Sequence, residues 1–280
     1  MESLQGEALW GTGDVPSRVR RFPLELGDAR GLSGLGRDDL GAFWSVAEAD
    51  GQLIRLADHR EAEVFPVALP VEGLDLEGIA YLGDGTFALA TESREERQID
   101  RVFYARLHGE RAVVEGEVSL NYAAVGLVAT SNRGIEGICS VGDTLVAVGE
   151  AVAEVGGERH APVFVWRQGD TSTRVSMVRL TTDTGKLAGL WCESGEGNAV
   201  RVFGIERHYT VMRIVGFSVD ASMMHEDLVL DARLLVELSG QIEGDPNPEG
   251  LVWDRGRYWI ITDNWYGEIS GPSELISVEP

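Results

Sequence analysis

Lysine is almost missing from this chain: Lys186 is its only one, and arginine supplies the remaining positive charge. The formal net charge is -22. So acidic a chain lacks the clustered Lys and Arg that a phosphate backbone requires, which excludes nucleic acid as an expected partner. The same charge admits cations or basic peptides. On its own, the lysine scarcity carries no functional reading. There are two cysteines, Cys139 and Cys192. Each lies in an apolar strand-like run, so buried free thiols in a reducing compartment are the expectation, with a disulfide left open. No apolar run is long enough to cross a bilayer, and residues 1–7 have no basic start and no signal-peptide core. The expected location is cytoplasmic, unless an exporting segment has been removed. Nucleophile motifs are also missing: no Gly-x-Ser-x-Gly, no P-loop, and no His/Cys spacing suited to zinc.

What is present is a repeat. Gly34, Gly78, Gly137, Gly189 and Gly250 each sit in a short apolar segment, at spacings of 44, 59, 52 and 61 residues. Each segment is followed by a second strand-like run that closes on an acid: Glu48, Glu92, Glu150, Glu206 and Asp263. Periods near this length belong to propeller blades or helical arrays. Helices are disfavoured by the 35 glycines and by short β-branched or aromatic runs between turn residues. Two further strands fit in each unit, the fourth unit's outer strand running from Leu228 to Leu238. The fifth unit is short by one strand, and residues 18–26 can supply it. The expected fold is all-β: residues 1–280 as a single five-bladed β-propeller of four-stranded blades, closed by an N-terminal strand in the last blade. The alternative is six blades.

In such a blade the inner strand begins on the face where the second strand ends. Glu77, Glu136 and Glu249 open inner strands. They should therefore meet the five closing acids around one mouth of the channel. Crowded carboxylates raise one another's pKa, so protons, arginines or a bound cation must neutralise them. Oxygen-only ligands suit calcium, with magnesium second. Asn132, Asn247 and Asn264 could add amide oxygens. Arg30, Arg133 and Arg207 lie close in sequence, and Trp265 could form a wall. The same acids could instead accept backbone N–H groups from the next blade and lock the ring. Ser33 and Ala188 replace the glutamate in units one and four. The stretches 109–131 and 151–160 are candidate lids.

The segments Leu74-Asp75-Leu76-Glu77-Gly78-Ile79-Ala80, Asn132-Arg133-Gly134-Ile135-Glu136-Gly137-Ile138 and Asn247-Pro248-Glu249-Gly250-Leu251 resemble the openings of bacterial esterase-like/phytase-like and SdiA-regulated propellers. More distantly the chain is similar to the calcium-dependent gluconolactonase/strictosidine-synthase group. There, a glutamate opening an inner strand is a metal ligand, which points here to Glu77, Glu136 and Glu249. The resemblance implies a propeller with a calcium site, and the converging acids with interleaved Arg and Asn point to a metal-dependent hydrolase of a small phosphate ester, ester or lactone. The alternative is a non-catalytic propeller holding a small ligand, sugar or basic peptide. A monomer with a small-molecule partner and no membrane is expected.

Overall fold

The computed structural model describes residues 16–27, 29, 31–48, 51–57, 61–71, 73–93, 96–130, 133–222, 224–244, 246–263 and 272–280. Short apolar runs broken by tight turns give strands throughout. At the turn 83–85 and the turn 255–256, Asp84 and Arg255 adopt φ of 49° between or beside glycines, the left-handed backbone that reverses a chain in two residues.

The first strand, β1 (Arg18–Pro23), precedes the five units. Unit one is β2 (Leu32–Arg37), β3 (Phe43–Ala47), β4 (Gln52–Ala57) and β5 (Glu61–Ala68). Unit two is β6 (Leu74–Gly83), β7 (Thr86–Ser93), β8 (Ile99–His108) and β9 (Arg111–Asn121). Unit three is β10 (Ile135–Val141), β11 (Thr144–Gly149), β12 (Ala153–Val155), β13 (Glu158–Arg167) and β14 (Arg174–Arg179). Unit four is β15 (Lys186–Ser194), β16 (Ala199–His208), β17 (Val211–Asp220), β18 (Val229–Asp231) and β19 (Arg233–Glu237). Unit five is β20 (Asn247–Asp254), β21 (Arg257–Asp263) and β22 (Glu274–Glu279), and β1 pairs antiparallel with β22 from Arg18↔Glu279 to Pro23↔Glu274.

The outer strand expected from Leu228 to Leu238 is two strands. β19 completes unit four, while β18 leaves it to pair in parallel with β14 of unit three. In the same way β5 pairs in parallel with β9, fusing units one and two into one sheet. These outer pairings occupy edges that would otherwise be open to other chains.

The inner strands are buried on both faces, so the core is divided among the gaps between units. Trp44, Val46 and Leu53 of unit one pack with Ile79, Phe87 and Leu89 of unit two. Val102 and Val118 of unit two pack with Leu145 and Phe164 of unit three. Val148 and Val163 pack with Val202 and Val215 of unit four. Ile205 and Ile214 pack with Ile260 and Ile276 of unit five, and Trp259 and Leu275 of unit five return to Phe43 and Ile54 of unit one. Each fully buried Leu, Ile or Phe contributes roughly 1.5–3 kcal/mol.

The repeat glycines stand where the inner strands converge. A Cβ on Gly189 would lie 2.5 Å from the Cα of Gly250, and one on Gly34 would lie 2.8 Å from the Cα of Gly78. A Cβ on Gly250 would collide with the backbone of Gly34 and Leu35. The period seen in the sequence is therefore a requirement of close backbone approach at the axis.

Candidate functional site

The three inner glutamates share a local device. In the β6–β7 ladder Leu76 faces Thr91 and Gly78 faces Ala90, leaving Glu77 as the extra residue of a β-bulge. Glu136 is the extra residue between Ile135 and Gly137, and Glu249 between Pro248 and Gly250. A bulge re-aims a side chain without breaking the strand. In units one and four the bulge falls one residue later, at Gly34–Leu35 and Gly189, and Ser33 and Ala188 stay in register. Ser33 straps unit one to unit two, because its hydroxyl donates to the backbone oxygen of Glu77 at 2.7 Å.

Two cations serve one side of the mouth. The Arg207 guanidinium donates to both carboxylate oxygens of Glu249 at 2.9 and 2.8 Å, to Glu136 at 3.4 Å and to Asn247 Oδ1 at 2.6 Å. Lys186, opposite Arg207 in the β15–β16 ladder, pairs with Glu150. Burial and the neighbouring Glu150 push the Glu136 carboxyl well above its ordinary range. Burial works the same way on Glu150, but the hydrogen bond from Glu136 and the charges of Lys186 and Arg207 outweigh it and hold its pKa low. The pair is displaced in opposite directions, Glu136 up and Glu150 down, and titrates as a unit.

On the other side, Glu77 is 7% exposed, and its carboxyl has no hydrogen bond or ion pair among the described residues. Burial pushes it well above the carboxylate range, reinforced by Glu48, Glu136, Glu92 and Glu249. Glu48, also without an ion pair among the described residues, is pushed up to about 9 by burial and by Glu249, Asp263, Asp75 and Glu92. Glu92 is raised to about 7 by burial, against the pull of the Gly134 N–H at 2.9 Å and of Arg97. That hydrogen bond runs from unit three to unit two, so Glu92 also locks neighbours together. Behind it, Arg97 pairs with Asp100, which accepts from the Tyr122 hydroxyl at 2.7 Å.

A family model described as phytase-like, "esterase-like activity of phytase", matches residues 28–265. The chain belongs to this phytase-like family. Among curated proteins none matches the sequence. Of solved structures, a PQQ-bound aldose sugar dehydrogenase from Streptomyces coelicolor is 12% identical over 95% of this chain and 99% of its own, with a TM-score of 0.50. A luciferin-regenerating enzyme is 11% identical over 94% and 96%, with a TM-score of 0.56. A mannose phosphorylase from Leishmania mexicana, in complex with phosphate ion, is 10% identical over 94% and 89%, with a TM-score of 0.51. At these identities the likeness is one of fold.

In this phytase-like chain the predicted acids are not equivalent. Glu48, Glu77, Glu92, Glu136, Glu150, Glu249 and Asp263 act on one another electrostatically. Glu206 is fully buried and turned into the loop before β15, where it accepts from the Thr181 N–H and hydroxyl at 2.9 and 2.7 Å and from the Thr182 hydroxyl. Its role is to hold that loop. Arg133 is exposed, and Arg30, Asn132, Asn264 and Trp265 lie outside the described residues.

Glu77, Glu136 and Glu249 do not fit a single shared metal ion. The Arg207 guanidinium already bonds Glu136 and Glu249, and among the described residues no group of three or more His, Cys, Asp or Glu is arranged to hold one. The two proposed lids are not lids. Residues 111–121 form β9, Tyr122–Val125 form a 3-10 turn, and Ala129 is bridged to Arg97; residues 153–155 form β12, paired with β13. The expected free thiols are a disulfide, Cys139–Cys192, joining the inner strands of units three and four. A cavity of about 70 Å³ is lined by residues that include Leu35, Arg37, Ile79, Ile138 and Trp191, with no carboxylate among its lining residues. Sequence reasoning missed Lys186. Its signal was available: the one lysine of the chain stands three residues before a repeat glycine.

Proposed function

We propose that the protein is a hydrolase of a small carboxylic ester or lactone, with Glu48 and Glu77 as its acid–base pair. The observation that carries this is Glu77, buried beside Glu48 with no hydrogen-bond or ion-pair partner for its carboxyl among the described residues. Two such carboxyls cannot both ionise, so the active form is the singly protonated pair, reached as pH rises toward about 9. The ionised member takes a proton from water as the water oxygen bonds to the carbonyl carbon. The protonated member gives its proton to the departing alkoxide as the C–O bond breaks, leaving acid and alcohol. Arg207 and Lys186 hold the facing acids in place, so the pair's environment stays fixed. The family description supports an esterase, and the five inter-unit cores support reading the units as a five-bladed propeller closed by β1, a single domain acting as a monomer on a small molecule.

A panel of nitrophenyl esters, lactones and phosphate monoesters tests the reading. General acid–base catalysis contributes roughly 10²–10⁴-fold, so Glu77→Gln should lose at least about 100-fold in kcat on the best ester with its thermal midpoint unchanged. Full activity in that variant overturns the assignment. A second reading, calcium as the counter-charge of Glu48 and Glu77, is favoured by the same unpartnered carboxyl. It predicts thermal stabilisation by calcium that a chelator reverses. No membrane-spanning helix exists among the described residues. The disulfide favours an oxidising compartment over the cytoplasm.

A further inference from the structure

We propose that the cavity between the inner strands is a binding site for a small monocarboxylate with a short aliphatic tail. Its wall comes from matching positions of the repeat. Leu35, Ile79, Ile138 and Leu190 each directly follow a repeat glycine and form an apolar ring. Arg37, Tyr81, Ser140 and Trp191 stand two or three positions past their glycines and add polar groups. Among the described residues, unit five contributes none to this lining. Trp191 packs against the core between units four and five and against the core between units five and one, so it covers the inner strand of unit five.

The hydrogen-bonding groups of the wall decide the ligand's chemistry. The Ser140 hydroxyl donates to the Tyr81 backbone oxygen at 2.8 Å, and Cys139 is engaged in its disulfide. Two buried donors have no acceptor among the described residues: the indole N–H of Trp191 and the Nε–H of Arg37. Arg37 Nε stands 3.3 Å from Asp254 Oδ1, an ion pair made without a hydrogen bond. Buried donors are nearly always paired, so two unpaired ones lining a single cavity call for an acceptor inside it. A cation finds no carboxylate in this wall. A carboxylate accepts from both donors, and a guanidinium is the side chain whose geometry suits it. The cavity of about 70 Å³, set against the roughly 10–15 Å³ that one water needs, admits a ligand of about five non-hydrogen atoms. A dianion such as phosphate would face one guanidinium already shared with Asp254. The chain's net charge of -22 would also oppose it twice as strongly as a monoanion. A short alkyl tail instead gains by burial against the apolar ring.

Propionate, propionamide and inorganic phosphate are the probes, titrated into the oxidised protein by calorimetry and by the indole N–H resonances of its NMR spectrum. Propionate should shift one indole resonance, the one missing from Trp191→Phe. Its affinity should fall at least about tenfold in Trp191→Phe and in Arg37→Met, and stay within about threefold in Arg37→Lys, which keeps the charge. Propionamide and phosphate should each bind at least about tenfold more weakly than propionate. Glu77→Gln should leave the propionate affinity unchanged, while its ester turnover reports separately on the mouth. Loss of propionate binding in Glu77→Gln would put the ligand among the glutamates and overturn the inference. The absence of any indole shift, full affinity in Trp191→Phe, or phosphate binding as tight as propionate overturns it too.

Discussion

The two sides of the mouth carry the same kind of acid and treat it differently. On the side of units three to five, Glu136, Glu150 and Glu249 are tied by Arg207, Lys186 and Asn247, and Cys139–Cys192 joins the two inner strands beneath them. On the side of units one and two, Glu48 and Glu77 have no cation partner among the described residues. Unit four explains the asymmetry. It has Ala188 where others have glutamate, and it supplies both Lys186 and Arg207. Unit one also lacks the inner acid, but its Ser33 contributes a hydroxyl strap to the Glu77 backbone instead of a counter-charge. The tied side is built as a scaffold, and the bare side keeps its carboxyls available for chemistry.

Breaking the tied side should have the largest effect on stability. Arg207→Met leaves Glu249 and Glu136 buried without their partner, a change that costs about 3–5 kcal/mol. Urea unfolding at neutral pH measures it, and acidification should recover part of the loss as the stranded carboxyls protonate. Glu77→Gln, on the bare side, should cost no stability, since it replaces a protonated carboxyl that has no partner among the described residues with a neutral amide of the same shape. Equal losses in the two variants would erase the distinction between the sides.

Reduction of Cys139–Cys192 comes next. The bridge closes a separation of 53 residues, and a loop of that size corresponds to about 4 kcal/mol of lost chain entropy in the unfolded state. Cys192→Ser should lower stability toward that figure while leaving Glu48 and Glu77 titrating as before. A change in their titration would mean the two sides are mechanically coupled through the ring.

The strands were legible because their signals are local. Gly83-Asp84-Gly85 marks its turn, and apolar runs such as 145–148 can only be strands at that length. Strand direction groups the acids that close second strands, and Glu48, Glu92 and Glu150 do act on one another. What the sequence could not show is where each side chain ends. Glu206 occupies the same repeat position as Glu92, yet Thr181 and Thr182 draw it into a loop. Arg207 looked like one of several nearby arginines, and only its approach to Glu136, 71 positions away, makes it the centre of the tied side. Cys139 and Cys192 read as separate buried thiols because their pairing depends on two units packing together. The parallel β14–β18 pairing is equally non-local, since it takes a strand from one unit and gives it to another.

The pH response is the most discriminating, because Glu150 on the tied side should respond with the opposite sign to Glu48 on the bare side. Glu48 keeps its proton in the folded chain up to about pH 9, whereas its ordinary value is 4.5. Between those values the folded state binds more protons than the unfolded state, so stability must fall as pH rises, by about 1.4 kcal/mol per pH unit for each fully retained proton. Glu92 adds to that slope only up to about pH 7. Glu150 is displaced the other way, so its contribution is present above its ordinary value and lost as acid protonates it in the folded chain. Unfolding measured from about pH 4 to about pH 10 should therefore show two separable limbs. Glu48→Gln should flatten the decline between about pH 7 and about pH 9 and leave the acid limb alone. Lys186→Met should weaken the acid limb, because Glu150 then loses the charge that holds its pKa down, and leave the decline above about pH 7 in place. A single variant that moved both limbs equally would show that the mouth titrates as one cluster, and the division into a tied and a bare side would fail.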